Sequence, residues 1–270
     1  MTSPDQPRRA PRLWVWAVVL VVLAVAVPVA VLVVHDPSTG DRGPTATPVA
    51  GAPSAEPGAT EEPADPPPQT AAPDVEAGVE AERGPVRALF FGDSYFIGGG
   101  YTSEDNSMAR LASNRLGWDS EINGGGGTGF VQTNWDYGLG NYLDQIGAGA
   151  FDVGARRWVV IEGGNNDVYL PAGDIRANAR RVVRKAQRTF PDAKVVLVGP
   201  LDQDADHTEL LPIIKTLRKV ASKRGVPFVN MKNWLDGHYD LIGPDYVHPY
   251  PEGHRILGRK LAKALRGLGA

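Results

Sequence analysis

Apolar positions fall into three regimes along the chain. Between Leu13 and Val34 they are continuous, in the run LWVWAVVLVVLAVAVPVAVLVV, which holds no charged residue. As a helix rising 1.5 Å per residue, that run is long enough to cross a bilayer. Between about Asp36 and Gly84 large apolar residues nearly vanish, and Pro, Ala, Thr, Gly and Glu dominate. Such a composition cannot bury enough surface to offset chain entropy, and it predicts a disordered stalk. As a loose coil, about 50 residues would reach roughly 40 Å. From Pro85 onward, short apolar blocks alternate with stretches of helical period, so residues 85–270 are the globular part.

Within the globular part the pattern predicts a series of elements. VRALFFGD is an apolar run ending in a turn. SMARLASNRLG fits a helix closed by Gly117. SEIN is a short strand, and RRWVVIEGG is an apolar run ending in glycine. GDIRANARRVVRKAQRTFP is amphipathic: Ile175, Ala179, Val182, Val183, Ala186 and Phe190 share a face, Asp174 can cap the start and Pro191 stops it. AKVVLVGP reads as a buried strand. TELLPIIKTLRKVASKRG reads as a helix with Pro212 in its first turns, VPFVNM as a strand, and PEGHRILGRKLAKALRG as a closing helix. Alternating strands and helices imply an α/β domain with a central parallel sheet covered on both faces, a three-layer α/β/α sandwich. Ligands of such sheets bind at the carboxyl ends of the strands. Ser94, Asn123, Asn166 and Pro200 all follow strand-like runs, so the polar residues of interest gather at that edge.

Charge orients the first regime. Arg8, Arg9 and Arg12 precede the apolar run and acids dominate after it. The positive-inside rule then places residues 1–12 in the cytoplasm and everything past the span outside. Trp14 and Trp16 suit the cytoplasmic interface. A cleaved signal peptide, giving a secreted protein, is the competing reading. The apolar run continues past the small residues Ala24 and Ala26 and exceeds a usual signal core. A single-pass anchor over 13–34 and a linker over 35–84 are therefore expected, with the domain extracytoplasmic. The formal net charge of -3 gives no global electrostatic case for nucleic acid. Cysteine is absent, which excludes disulfides, thiol catalysis and cysteine-based metal sites. No His, Asp and Glu run has metal-ligand spacing, and no cofactor is implied. The cations Arg180, Arg181, Arg184, Lys185 and Arg188 read as a solvated helix face rather than as a site for an anionic polymer.

Ser94, in LFFGDSYFIGGG, ends a buried strand between an acid and an aromatic ring. Turn chemistry alone accounts for Gly, Asp and Ser there. A nucleophilic serine would also need a base, an orienting acid and oxyanion donors. Of five histidines, His35 lies outside the domain, His207 fits a helix start, and His254 shares a face with Leu257 and Leu261 as a packed residue. His238 carries no such signal. His248, in GPDYVHPYPEGH, follows Asp245 by three residues, so one loop can supply a base and the carboxylate that fixes its tautomer. INGGGGTGF offers backbone amides unshielded by Cβ atoms, and EGGNND offers Asn165 and Asn166 after a strand. A flexible turn and an Asx turn explain these two equally well.

The four signals in this order, Gly-Asp-Ser, a Gly-rich loop, Gly-x-Asn-Asp and Asp-x-x-His-Pro, resemble the SGNH/GDSL hydrolase family. The resemblance spans Val86 to the last helix. It implies the flavodoxin-like version of the α/β/α fold and a serine esterase that needs no metal or cofactor. It implies Ser94 as nucleophile, His248 as base and Asp245 as its acid, with the Ser94 N–H, Gly127 and Asn166 forming the oxyanion hole. The run Gly124 to Gly127 leaves the glycine register open by one. One position departs from the pattern: Tyr95 stands where the family has its namesake leucine, and a phenol there could shape or gate the pocket. No serine sits in a Gly-x-Ser-x-Gly context, which removes the α/β-hydrolase alternative. The expected substrate is a carboxylic ester on carbohydrate or lipid. Short acyl groups such as acetyl on a wall polysaccharide are favoured, because no long apolar lid follows Ser94. An O-acyltransferase with the same triad and a non-catalytic wall-binding module are the rivals. A monomer, held to the membrane by its N-terminal helix and with no nucleic-acid partner, completes the expectation.

Overall fold

The computed structural model describes residues 84–204 and 208–270. The expected anchor over 13–34, the linker up to residue 83, His35 and His207 lie outside the described residues. Among those described, no helix is long and apolar enough to cross a membrane.

Five strands form one parallel sheet: β1 (Arg87–Gly92), β2 (Asp119–Gly124), β3 (Trp158–Glu162), β4 (Lys194–Val198) and β5 (Phe228–Val229), in the order β2-β1-β3-β4-β5. The helices are α1 (Ser94–Ile97), α2 (Met108–Leu116), α3 (Tyr142–Gly147), α4 (Ala172–Thr189), α5 (Leu211–Arg224) and α6 (Pro251–Gly267). This is the flavodoxin-like order, and the direction in which strands are added across the sheet reverses between β1 and β3. A crevice opens at such a switch point, outside the carboxyl ends of the two strands.

Period-two alternation sorts the core into two layers. Ala88 and Phe90 of β1 pack with Met108 and Ala112 of α2 and with Leu257, Leu261 and Leu265 of α6. Leu89 and Phe91 point the other way, toward Tyr142, the α4 face of Ile175, Ala179, Val182, Val183 and Ala186, and Leu217 of α5. The α4 face is the one its sequence predicts.

Several boundaries differ from the sequence expectation. Asp174 does not cap α4; the chain enters at Pro171, and Asp174 sits in the first turn, where a carboxylate still favours the positive helix end. Asn123 does not follow β2 but lies within it, paired with Phe91, and its amide donates to the Ala150 carbonyl. The α1 turn begins directly after Asp93, whose side chain accepts the Tyr95 N–H as an N-cap. α6 runs over the residues expected, and Gly117 closes α2 in the left-handed region as expected.

α2 and α6 touch at a glycine. A Cβ at Gly258 would lie 2.7 Å from the Leu111 Cβ and 3.1 Å from the Met108 carbonyl oxygen. Beside this contact, buried His254 accepts the Met108 N–H through Nδ1 at 3.1 Å. Its expected structural role is the one observed. Gly258→Ala is expected to force the two helices apart and lower stability by about 1–3 kcal/mol. Urea denaturation would show this as a lower midpoint at unchanged slope. An unchanged midpoint would mean the contact relaxes without strain.

Candidate active site

Ser94 is the first residue of α1, buried, at the carboxyl end of β1. Its position follows from the preceding residues. Phe90 and Phe91 hold β1 in both core layers, and Asp93 ends the strand by capping the next turn. His248 and Asp245 arrive from the loop before α6. That loop is closed by hydrogen bonds from Gly243 N–H to the His248 carbonyl and from Tyr250 N–H to the Leu241 carbonyl. Asp245 Oδ1 accepts the N–H groups of Val247 and His248, each at 3.0 Å. This Asx turn is what an Asp-x-x-His spacing provides: the carboxylate folds the backbone that carries the imidazole. Tyr246, between them, is the one non-glycine residue with positive φ among those described, at 59°.

The three side chains form one line. Ser94 Oγ and His248 Nε2 are 2.9 Å apart, and His248 Nδ1 and Asp245 Oδ2 are 2.7 Å apart. A carboxylate only accepts, so the Nδ1 proton faces Asp245 and Nε2 is left to accept from the serine hydroxyl. Partial burial pushes the Asp245 carboxyl up. The His248 N–H, the imidazole and the Val247 N–H outweigh it, and the net effect holds Asp245 below the usual range, ionised.

Backbone has to come close for these contacts to form. A Cβ at Gly99 would stand 2.7 Å from the Ser94 Cβ and 3.6 Å from His248 Nε2. At Gly100, with φ of +63°, it would stand 2.5 Å from the His248 Cβ. The glycines after Ser94 therefore pack against the triad, a role the sequence pattern does not announce. Tyr95 does not gate the pocket. It is buried, its hydroxyl donates to the Val247 carbonyl at 2.8 Å and accepts from Gln203 at 2.8 Å. The residue beside the serine thus ties down the loop that carries the histidine.

The Gly-rich loop and the Asn-Asn-Asp loop meet beside Ser94. Gly126 lies nearest, its ideal Cβ 3.9 Å from that of Ser94. The Gly126 carbonyl accepts from the Asn134 side chain at 2.9 Å. In a trans peptide the next N–H, that of Gly127, points the opposite way, and no described protein group accepts it. The Asn166 amide nitrogen donates to the Thr128 carbonyl at 2.8 Å and to Asp93 Oδ2 at 3.2 Å. Asn165 does not join the site. It binds the Leu201 backbone through both ends of its amide. Asp167 accepts three N–H groups, from Phe130, Val131 and Gln132, each at 2.9 Å. It clamps one loop to the other.

Beneath the serine lies a pair of buried acids. The Asp93 N–H donates to Glu162 Oε2 at 3.3 Å, and both side chains are fully buried. Burial pushes both carboxyls up, and for Glu162 the neighbouring Asp93 charge adds to it. Glu162 shows no sequence signal beyond its place at the end of β3. Among the described residues no group of three or more His, Cys, Asp or Glu side chains could hold a metal ion.

An α/β/α sandwich with a Ser-His-Asp line across its switch point defines a carboxylic ester hydrolase of the SGNH type. The chain belongs to the GDSL-like Lipase/Acylhydrolase family, whose model matches residues 90–256, more than half its length. The sequence has no match among curated proteins. Its structure is similar to a family two carbohydrate esterase from Clostridium thermocellum solved with cellohexaose, with a TM-score of 0.58 at 19% identity, covering 68% of this chain and 65% of that one. It is also similar to a family 2 carbohydrate esterase with a carbohydrate-binding domain from Corynascus thermopiles (TM-score 0.57, 22% identity, 68% and 67% covered). A third is an acetyl xylan esterase from the rumen bacterium Butyrivibrio proteoclasticus (TM-score 0.51, 18% identity, 68% and 64% covered). These likenesses establish the shared fold. The chain spans about two-thirds of the length of each of the three.

The sign of the Glu162 effect follows from its raised carboxyl. The folded state keeps a proton that the unfolded chain releases above its ordinary value, so this group's contribution to stability falls as pH rises from about 5. Glu162→Gln cannot ionise and can still accept the Asp93 N–H. Relative to wild type it is expected to gain stability as pH rises over the range above about 5, by up to about 1.4 kcal/mol per pH unit. Denaturation midpoints across that range measure it; a gap that stays constant with pH would place no bound proton on Glu162.

Proposed function

We propose that the chain is a serine esterase that removes short acyl groups, acetyl foremost, from polysaccharide hydroxyls. The observation that carries this reading is the unbroken hydrogen-bonded line from Asp245 through His248 to Ser94. In it, Ser94 Oγ attacks the ester carbonyl and passes its proton to His248 Nε2, while ionised Asp245 holds the imidazole and stabilises its positive form. The tetrahedral oxyanion is received by the N–H groups of Ser94 and Gly127 and by the Asn166 amide. The orientation of the Gly126–Gly127 peptide supports Gly127 within the glycine run. The longer of the two Asn166 bonds, at 3.2 Å to Asp93, is the one an oxyanion would take over. The alcohol leaves with the proton from His248, and the acyl group stays on Ser94. A water, deprotonated by His248, then attacks the acyl-enzyme and frees the acid.

Two features support the details. The His248 and Asp245 side chains are 24% and 35% exposed, so water reaches the base, as the hydrolytic step requires. Tyr101 and Tyr250, ring centroids 5.0 Å apart and both partly exposed, flank the histidine loop and offer faces on which a sugar ring can stack. The neighbouring carbohydrate esterases point to the same substrate class. The uncharged run Leu13–Val34 behind three arginines supports an anchored, extracytoplasmic enzyme. Resistance of the intact protein to carbonate extraction would test that part, and a mature N-terminus near residue 30 would replace it with secretion.

A fluorophosphonate probe is expected to label wild-type protein at neutral pH on the peptide containing FFGDSYF. Ser94→Ala should lose the label and keep its fold. Asn166→Ala should label more slowly, with turnover of p-nitrophenyl acetate down by about 10²- to 10³-fold. His248→Ala should abolish turnover, and Asp245→Asn should reduce it less completely. A label on Ser103 or Ser107, or none in any variant, would sink the assignment of Ser94.

A further inference from the structure

Away from Ser94, two grooves of 760 and 520 Å³ open along α5 and between α4 and α5. They share Lys219 and Lys223, and no triad residue lines either. Arg176, Arg180 and Arg184 stand along α4, and Lys215, Lys219 and Lys223 along α5. Each set steps by four residues, about 6 Å of rise, so each forms a ladder on one side of its helix. Among the described residues no carboxylate lines either groove, and none of the six cations enters an ion pair. Like charges four apart oppose the helix that carries them. The α4 ladder and the Lys219 and Lys223 rungs of the α5 ladder line one groove, which concentrates positive potential where low-dielectric walls focus it. Each ladder alone is the solvated face of an amphipathic helix; where the two helices run side by side, Arg176, Arg180, Arg184, Lys219 and Lys223 line one groove.

We infer that this double ladder binds a single extended anionic polysaccharide, one that carries a carboxylate on successive sugars. The choice of a glycan rests on the esterase reading above; the anionic character rests on the groove. Its form fits a strand better than a flat bilayer. Among the described residues no aromatic ring lines it, so they supply none of the stacking platform of single-stranded nucleic acid channels. α4 and α5 follow β3 and β4 of a parallel sheet, so both helices start at the carboxyl edge. Gly173 lines the groove between α4 and α5 and Leu211 the groove along α5, each at the start of its helix, so both grooves reach toward the edge that holds Ser94. A polymer held there extends the surface on which its own acyl groups are removed.

The test is binding of fluorescein-labelled polygalacturonate to the full chain, followed by anisotropy. Binding is expected at 50 mM salt and should weaken at least tenfold at 200 mM, because exposed charges are screened. The quadruple variant Arg180→Gln, Arg184→Gln, Lys219→Gln, Lys223→Gln should lose at least tenfold in affinity and hydrolyse p-nitrophenyl acetate at the wild-type rate. The charge-retaining variant Arg180→Lys, Arg184→Lys should bind as wild type does. Ser94→Ala should also bind fully, so failure of the esterase reading would show in turnover and leave this result untouched. No binding at 50 mM salt, or equal binding by the quadruple variant, would overturn the proposal. So would tighter, groove-dependent binding of phosphatidylglycerol vesicles or oligo-dT, which would give the groove to a membrane or to nucleic acid.

Discussion

The contact between Ser94 Oγ and His248 Nε2 joins residues 154 positions apart, the end of the first strand and the loop before the last helix. Much of the local structure serves that one distance. Asp93 caps the turn that presents the serine, and Asp245 folds the turn that presents the imidazole. Tyr95 ties the second to the first through the Val247 carbonyl, and Gly99 and Gly100 leave room for both. α6, which anchors the histidine loop, packs on α2 without a side chain at Gly258. A single hydrogen bond contributes little net stability. Its geometry is instead over-determined by packing and by hydrogen bonds to its neighbours, which is how a reactive group is kept within reach of its base.

Acids divide their work by environment. Asp245, partly exposed and accepting two backbone N–H groups and an imidazole, stays ionised. Asp167 spends its oxygens on three backbone amides and so clamps two loops. Asp93 and Glu162, sealed below the serine, are pushed toward their neutral forms. The same functional group thus orients a base, builds a loop or fills a core, according to which donors and how much water surround it.

Charge outside the site follows a different logic. Among the described residues the cations of α4 and α5 do not pair with acids, and their regular spacing becomes a feature of the surface only where the two helices run side by side. The acyl-transfer machinery and the basic groove share an edge of the sheet because every helix after a parallel strand starts there.

Much of this was legible in the residues alone. Alternating apolar blocks specify a parallel sheet, since only a strand covered on both faces tolerates runs such as VVLV. The apolar face of α4 and the span of α6 follow from period, and the Asp245–His248 pair is legible because an Asx turn is local. Short elements were not: α1 and the 3₁₀ turn at Trp135–Tyr137 have too few residues to show a period. Nor were the roles that depend on distant partners. Glu162 as a buried acid, Asp167 as a clamp, Tyr95 as a tether and the glycines at 99 and 100 as clearance against His248 acquire meaning only when separate loops converge. The elements and the local turns follow from residue order alone, because they depend on neighbours within a few residues. The tertiary structure decided which polar groups face each other and which charges share a groove, because hydrogen bonds and electrostatic fields act across space, whatever the distance along the chain.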